Sequence, residues 1–306
     1  MSARGTRPPV DPHPDTRGLL FVHAHPDDET IGTGATLAHY AARADARLTV
    51  VTCTLGEEGE IRVPHLAGLA ANEADQLGGY RYWEHRQATA ALGVTDTHFL
   101  GGVGRYRDSG MMGLPANAHP RAFWAADVDE AAADLVNLIR DRAPEVLVTY
   151  DPDGFYGHPD HIQAHRVAMR AAELAADPSW RPDLGAAHDI RKIYWTTMPR
   201  SLIEAQFAAF ANATDNPFAD AATAADLPFG VPETDIDACV VGDKAATAAK
   251  REAMAAYATQ IAPGDWLDVL GDKLGDAALA AEHYRLVKGA RGEGAGEHGW
   301  ESDLLA

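Results

Sequence analysis

The chain has 306 residues, enough for one large α/β domain with an appendage or for two small domains. Its 26 basic residues stand against 45 acidic ones, a formal charge of -19 that disfavours binding to phosphate backbones or anionic membrane surfaces. Two cysteines, Cys53 and Cys239, argue against a disulfide framework and suit a reducing, cytoplasmic setting in which both are small buried hydrophobes.

No apolar run approaches the roughly 20 residues that a bilayer span needs. Residues 1–17 carry Pro8, Pro9, Pro12 and Pro14 without the apolar stretch of a secretory signal, and read as a disordered tail. A strand over 19–24 opens with Leu19-Leu20-Phe21-Val22, a continuous apolar run of the kind found where helices cover both faces of a parallel sheet. A helix over 34–44 and a β-branched strand over 48–53 follow, then an acidic loop, Leu55 to Glu60. The pattern continues with a helix over 69–92, interrupted at Gly78-Gly79, a strand over 98–100 and a glycine-rich loop over 101–110. A helix over 127–142 has apolar residues at 3.6-residue spacing and delivers the chain to a strand over 146–150. Beyond it come a helix over 160–176 and a strand over 193–197, then a helix over 244–260 and a late strand over 284–287. Alternating strands and helices predict a Rossmann-like α/β fold, a mostly parallel sheet with helices on both faces. We divide the chain into the tail, a core over 18–200, and a C-terminal extension over 201–306 that packs on the core and caps the cleft.

Two clusters follow strand ends: His25-Pro26-Asp27-Asp28-Glu29 and His158-Pro159-Asp160-His161. Ligands of open parallel sheets bind beyond the carboxyl ends of strands, so the fold would bring these distant clusters to one place. A catalytic zinc takes three protein ligands and keeps a fourth position for water. His25, Asp28 and His161 supply such a set, and a cation there would lower the pKa of its water towards roughly 7. Asp27 is then free to accept a proton, which a carboxylate committed to a cation does poorly. The bland alternative is that Asp27 and Asp28 cap a helix with help from Thr30. In the second cluster Asp160 suits orientation of a ring nitrogen from behind, and His158 can face the substrate. His165 reads as an ordinary helix residue, because Ile162 stands where an H-E-x-x-H motif needs glutamate. His23 carries no assignment. Gly32-Thr33-Gly34 resembles the start of a dinucleotide fingerprint, but Leu37 takes the third glycine position and the preceding carboxylates would repel a pyrophosphate. Close helix packing explains those glycines better. Asn212-Ala213-Thr214 is a chance match to a glycosylation acceptor.

The paired clusters make the chain resemble the zinc-dependent LmbE-like (PIG-L) N-acetylglucosaminyl deacetylases, and within them the branch that acts on N-acetylglucosaminyl-inositol in mycothiol biosynthesis. The likeness runs from Leu19 nearly to the end and includes Val51 to Glu60, Asp75 to Arg81, Gly104 to Met111, Thr149 to Pro152 and Gly299 to Leu305. The resemblance implies one Zn2+ per chain, with Fe2+ suiting the same donors, held by His25, Asp28 and His161, and Asp27 as general base. It also implies that His158 stabilises the oxyanion or protonates the leaving amine, tuned by Asp160, and that Tyr156 contributes to the tetrahedral intermediate. Arg81, Asp108 and Met111 would hold the small amino-sugar inositol substrate. The rival activities are a mycothiol S-conjugate amidase on a related scaffold, a metal-dependent phosphoesterase, which would want two metals and more bridging carboxylates, and a sugar-binding protein with a structural zinc.

Overall fold

The computed structural model describes residues 16–213, 216–219, 221–295 and 298–306, so most of the proline-rich tail lies outside the described residues. Among the described residues nine strands form a single sheet: β1 (Arg17–His23), β2 (Ala46–Thr52), β3 (Asp96–Phe99), β4 (Val146–Thr149), β5 (Lys192–Thr197), β6 (Ala238–Val241), β7 (Ala281–Lys288), β8 (Gly294–Ala295) and β9 (Trp300–Glu301). They lie in the order β3-β2-β1-β4-β5-β7-β6-β9-β8. The first five are parallel to one another, whereas β7 runs antiparallel to both β5 and β6. After β1 the chain builds outwards through β2 to β3, then returns to add β4 on the other side of β1. That reversal is the topological switch point, and the crevice beyond the β1 and β4 carboxyl ends is where such folds bind ligands. Leu19 pairs with Val146 in register, so the segments leaving these strands emerge side by side.

Strand alternation explains why the apolar runs are continuous. Leu19 and Phe21 join the core under α1 (Asp28–Ala41), α2 (Leu77–Ala91) and α7 (Lys244–Ala256), whereas Leu20 and Val22 join the core under α3 (Val128–Arg142) and α5 (Pro159–Ala176). Each face needs its own apolar residue, and burying one of these side chains stabilises the fold by about 1.5–3 kcal/mol. At the start of α3, Asp127 accepts the Glu130 N–H at 2.9 Å, a side-chain cap of the expected kind.

Several boundaries differ from expectation. α1 begins at Asp28 rather than near residue 34, because Gly32 and Gly34 sit inside the helix. A Cβ at Gly34 would lie 3.1 Å from Lys250 Cγ, so this glycine lets α1 and α7 approach closely. α2 starts at Leu77, and Gly78-Gly79 belong to its first turn rather than interrupting it. A Cβ on Gly78 would come within 2.7 Å of Glu57 Cγ, so the glycine admits the acidic loop against the helix. α7 ends at Ala256, four residues before the expected end at 260. The short α4 (Gly154–Gly157), α6 (Arg200–Phe210) and β6 had no sequence-level expectation.

Residues 201–306 do more than pack against the core, since β6, β7, β8 and β9 extend its sheet. Their end is fixed by polar contacts: Tyr194 Oη donates to Glu301 Oε2 at 2.8 Å, Lys192 pairs with Glu301 in a fully buried ion pair, and Tyr40 Oη donates to Asp303 Oδ1 at 2.7 Å. No helix among the described residues is long and apolar enough to cross a membrane. Cys53 and Cys239 are both free, the first buried and the second half-buried.

Candidate active site

The turn after β1 carries His25, Asp27 and Asp28, and the segment after β4 carries Tyr156, His158, Asp160 and His161 on α4 and the start of α5. The structure brings them together. Asp28 Oδ2 lies 3.3 Å from His25 Nδ1 and 3.3 Å from His161 Nε2, and also accepts the His25 backbone N–H at 2.8 Å. Nitrogen and oxygen donors on a tetrahedral zinc, at bond lengths of about 2.0–2.2 Å, stand about 3.3–3.5 Å apart, so these spacings suit a shared divalent cation. His161 adds a second sign: it is 2% exposed, and both ring nitrogens lack a hydrogen-bond partner. Buried polar atoms without partners are costly, and a cation would satisfy Nε2. Tyr150 stacks on the His161 ring at 4.2 Å, and its hydroxyl accepts the Ala24 N–H at 3.0 Å, which ties the two strand ends together.

Two sets have all their donor atoms within 4.8 Å of one another: His25, His158 and His161, and separately His25, Asp108 and Asp160; His25 and His161 are also joined through Asp28 Oδ2. The second is the shell behind His25. Its Nε2 lies 3.3 Å from Asp160 Oδ2 and 3.5 Å from Asp108 Oδ1, which fixes the proton on Nε2 and frees Nδ1 for a cation. The first would need a lone pair from His158. There, Nδ1 already accepts the Asp160 backbone N–H at 3.1 Å, so the neutral ring carries its proton on Nε2 and is a donor. Burial, together with the neighbouring His25 and His161, pushes the His158 pKa down to about 3 and keeps the ring neutral. Asp160 thus differs from its expected partnership. Its carboxylate turns to His25 and accepts from the Ser109 N–H at 2.8 Å and from the Ser109 hydroxyl, while only its backbone touches His158.

Asp27 and Asp28 diverge as the chemistry requires. Asp27 has φ 109° and makes no side-chain cap bond, so helix capping does not account for its carboxylate. Its Oδ2 instead accepts from Arg81 Nη2 at 2.9 Å. Burial raises the Asp27 pKa in spite of that guanidinium, whereas His161 and His25 hold Asp28 well below the usual carboxylate range against its own burial. Adjacent carboxyls with pKa values pushed apart are suited to different tasks.

Arg81 was expected among the substrate groups. It lines the cavity but is 3% exposed, and donates to Gly56 O at 2.7 Å and to Pro26 O as well as to Asp27. Asp108 is equally withdrawn: Oδ1 accepts the Gly110 N–H at 2.8 Å and Oδ2 the Glu58 N–H at 3.2 Å. Met111 and Tyr156 remain open, at 47% and 37% exposure, at the cavity wall. The Tyr156 ring stands edge-on to His161 at 4.9 Å. His165 Nδ1 pairs with Tyr150 O at 2.9 Å, and His23 packs between Thr33 and Tyr150. The cavity, about 730 Å³, continues past the clusters along Met198, Leu202, Phe218, Phe229 and Trp266. Sequence reasoning missed Ser109, Tyr150 and the buried partners of Glu29. Tyr150, standing next to a strand end, was the only one with a local signal.

A model of the GlcNAc-PI de-N-acetylase family, PIG-L, matches residues 20–172, which contain both clusters. The chain belongs to that family. Curated relatives named 1D-myo-inositol 2-acetamido-2-deoxy-alpha-D-glucopyranoside deacetylase match nearly end to end. The one from Salinispora arenicola is 58% identical over 96% of this chain and 92% of its own length, and the one from Geodermatophilus obscurus 56% identical over 95% and 98%. Among solved structures, the N,N'-diacetylchitobiose deacetylase from Pyrococcus horikoshii superposes with a TM-score of 0.59 over 89% of this chain and 84% of that one. At 17% identity this likeness speaks for the fold alone. The PIG-L fold is the mostly parallel α/β sheet expected from the sequence, and PIG-L deacetylases depend on a metal.

Proposed function

We propose that this chain hydrolyses the acetamide of 1D-myo-inositol 2-acetamido-2-deoxy-alpha-D-glucopyranoside, releasing acetate and glucosaminyl-inositol in mycothiol biosynthesis. The observation that carries the reading is the Asp28 oxygen 3.3 Å from one nitrogen of His25 and 3.3 Å from one of His161, whose ring makes no hydrogen bond. His25, Asp28 and His161 hold one cation, which we take as zinc, although iron(II) suits the same donors. Bound there, it would polarise the acetamide carbonyl and acidify the attacking water. Asp27, close by but committed to Arg81 rather than to the cation, takes the proton from that water. His158 offers its Nε2–H to the carbonyl oxygen as charge develops, and Tyr156 closes the same side. The amine leaves once its nitrogen takes up the proton that Asp27 removed from the water, which returns Asp27 to its carboxylate. Asp108 and Met111 border the sugar, and Arg81 serves it only through Asp27. Residues 201–306 cap the cleft with Leu227, Phe229 and Trp266. We place the enzyme in the cytoplasm.

Two variants assayed together test this. Asp27→Asn should keep one metal per chain and lose most acetate release, whereas His161→Ala should lose the metal too. Normal turnover by Asp27→Asn would sink the base assignment. The apolar length of the cavity supports a second activity, cleavage of the larger amide of a mycothiol S-conjugate. Conjugate cleavage faster than acetate release would reverse the ranking. A metal count of two with phosphatase activity would favour the phosphoesterase.

A further inference from the structure

The backbone of Asp27 is in an unfavourable place. At φ 109°, ψ -32° an L-residue is outside its ordinary wells, and such strain, about 1–3 kcal/mol, persists only where surrounding contacts hold it. The turn matters because adjacent carboxylates must point apart, Asp28 to the histidines and Asp27 away. Three sets of bonds hold it. Asp27 O accepts from the Thr30 and Ile31 N–H groups at 2.9 and 2.8 Å, Arg81 grips the carboxylate, and the Asp27 N–H donates to Glu29 Oε2 at 3.1 Å.

Glu29 is therefore a carboxylate bent back onto the peptide two residues before it. It is 0% exposed, and its hydrogen-bond donors are neutral. Burying a carboxylate with neutral donors is expensive, which argues that its position has a use. Oε1 is held by the Thr30 hydroxyl at 2.6 Å and by Tyr257 Oη at 2.7 Å. Tyr257 lies 228 residues further along the chain, directly after α7, and is itself fully buried. α7 is bolted to α1 beside this point, since Lys250 Nζ donates to Ile31 O at 2.9 Å and to Glu282 Oε1 at 2.6 Å. Neither Glu29 nor Tyr257 is among the residues that line the cavity, so neither reaches substrate directly.

We propose that Tyr257 is a positioning residue for the hydrolysis: through Glu29 it holds the Asp27 backbone in the turn that aims the base away from the metal ligand beside it. The inference rests on Asp27 being the base. It also gives the C-terminal extension a task in the chemistry besides closing the cleft.

Tyr257→Phe removes one hydroxyl and keeps the ring. The expected result is a kcat lower by about 10-fold to 100-fold, as for lost outer partners of a site, with KM and metal content unchanged. Glu29→Gln, which keeps the volume, should show the same split and serves if the tyrosine variant folds poorly. The deciding measurement is a double-mutant cycle with Asp27→Asn. If Tyr257 acts through the base, Tyr257→Phe should leave the residual rate of Asp27→Asn unchanged. An equal loss in both backgrounds, or a fall in metal content that tracks activity, overturns the positioning role alone. Full activity of Asp27→Asn by itself overturns the base assignment and this proposal with it.

Discussion

Arg81 Nη2 donates to Asp27 Oδ2 across 2.9 Å, from a helix to a turn that lie 54 residues apart in sequence. The same guanidinium reaches Pro26 O and Gly56 O, so it clamps the turn and the acidic loop as well as the carboxylate. Replacing it with the similarly sized methionine would leave Asp27 buried without its counter-charge, and such a carboxyl retains its proton. Arg81→Met should therefore lower kcat by about 100-fold, the scale of a misplaced catalytic group, with little change in KM. Steady-state kinetics on metal-loaded protein check this. A raised KM with kcat intact would instead make Arg81 a substrate-binding residue.

Ser109 is the support of a support. Its hydroxyl and N–H hold Asp160, whose carboxylate faces His25 Nε2 at 3.3 Å, and Trp124 N–H donates back to Ser109 Oγ at 2.9 Å. Ser109→Ala keeps the N–H contact and loses the hydroxyl, so His25 should be held less firmly. We expect metal affinity to weaken by about 10-fold, the lower end for such outer contacts. Competition with a chelator of known affinity measures it. Unchanged affinity would mean that Asp160 does not tune the site.

The parts of this protein that were legible in its sequence are those whose pattern is local. Leu19-Leu20-Phe21-Val22 must be apolar throughout because the strand is covered on both faces, and that run cannot be mistaken for an exposed strand. The two clusters were legible because each follows such a strand, the first two residues after His23 and the second nine residues after Thr149. The start of α1 was not: Gly32 and Gly34 disfavour helix, and only Lys250, 216 residues beyond Gly34, explains why one of them is there. The Arg81 contact with Asp27, and Tyr257 altogether, were opaque for the same reason. Each acts on the turn through a contact between distant segments, and no spacing rule in a single sequence carries it.

Gly154 lies at φ 64°, and a Cβ there would stand 2.7 Å from Ile162 N and 2.8 Å from His161 Cβ. Both atoms belong to the first turns of α5, which carries the candidate ligand His161. Gly154→Ala should thus cost stability by about 1–3 kcal/mol from the backbone alone and shift His161 as well. Binding to the folded state raises Tm, and by more the tighter the binding. The rise in Tm on adding Zn2+ should accordingly be smaller in the variant than in the unmodified chain. An equal rise in both would show that α5 absorbs the methyl without moving the ligand.

Buried neutral histidines predict an acid limb in stability. His85 is 1% exposed, with Nε2 on Thr52 Oγ1 at 3.1 Å and Nδ1 without a partner, and burial, with Arg86 and Arg81 nearby, pushes its pKa down to about 4. His283, on β7 against Trp300, is likewise lowered to about 4, chiefly by burial. In the unfolded chain both return towards 6.5, so between these values the unfolded state binds more protons than the folded one. Stability from these groups is complete above 6.5 and is lost as pH falls towards 4, at about 1.4 kcal/mol per pH unit for each. His85→Gln keeps a hydrogen-bonding group near Thr52 and abolishes the His85 titration. Urea unfolding across that interval should then show a slope of stability against pH shallower than in the unmodified chain by about 1.4 kcal/mol per unit. Parallel slopes would mean that His85 takes up its proton in the folded state, and that its burial does not hold it neutral.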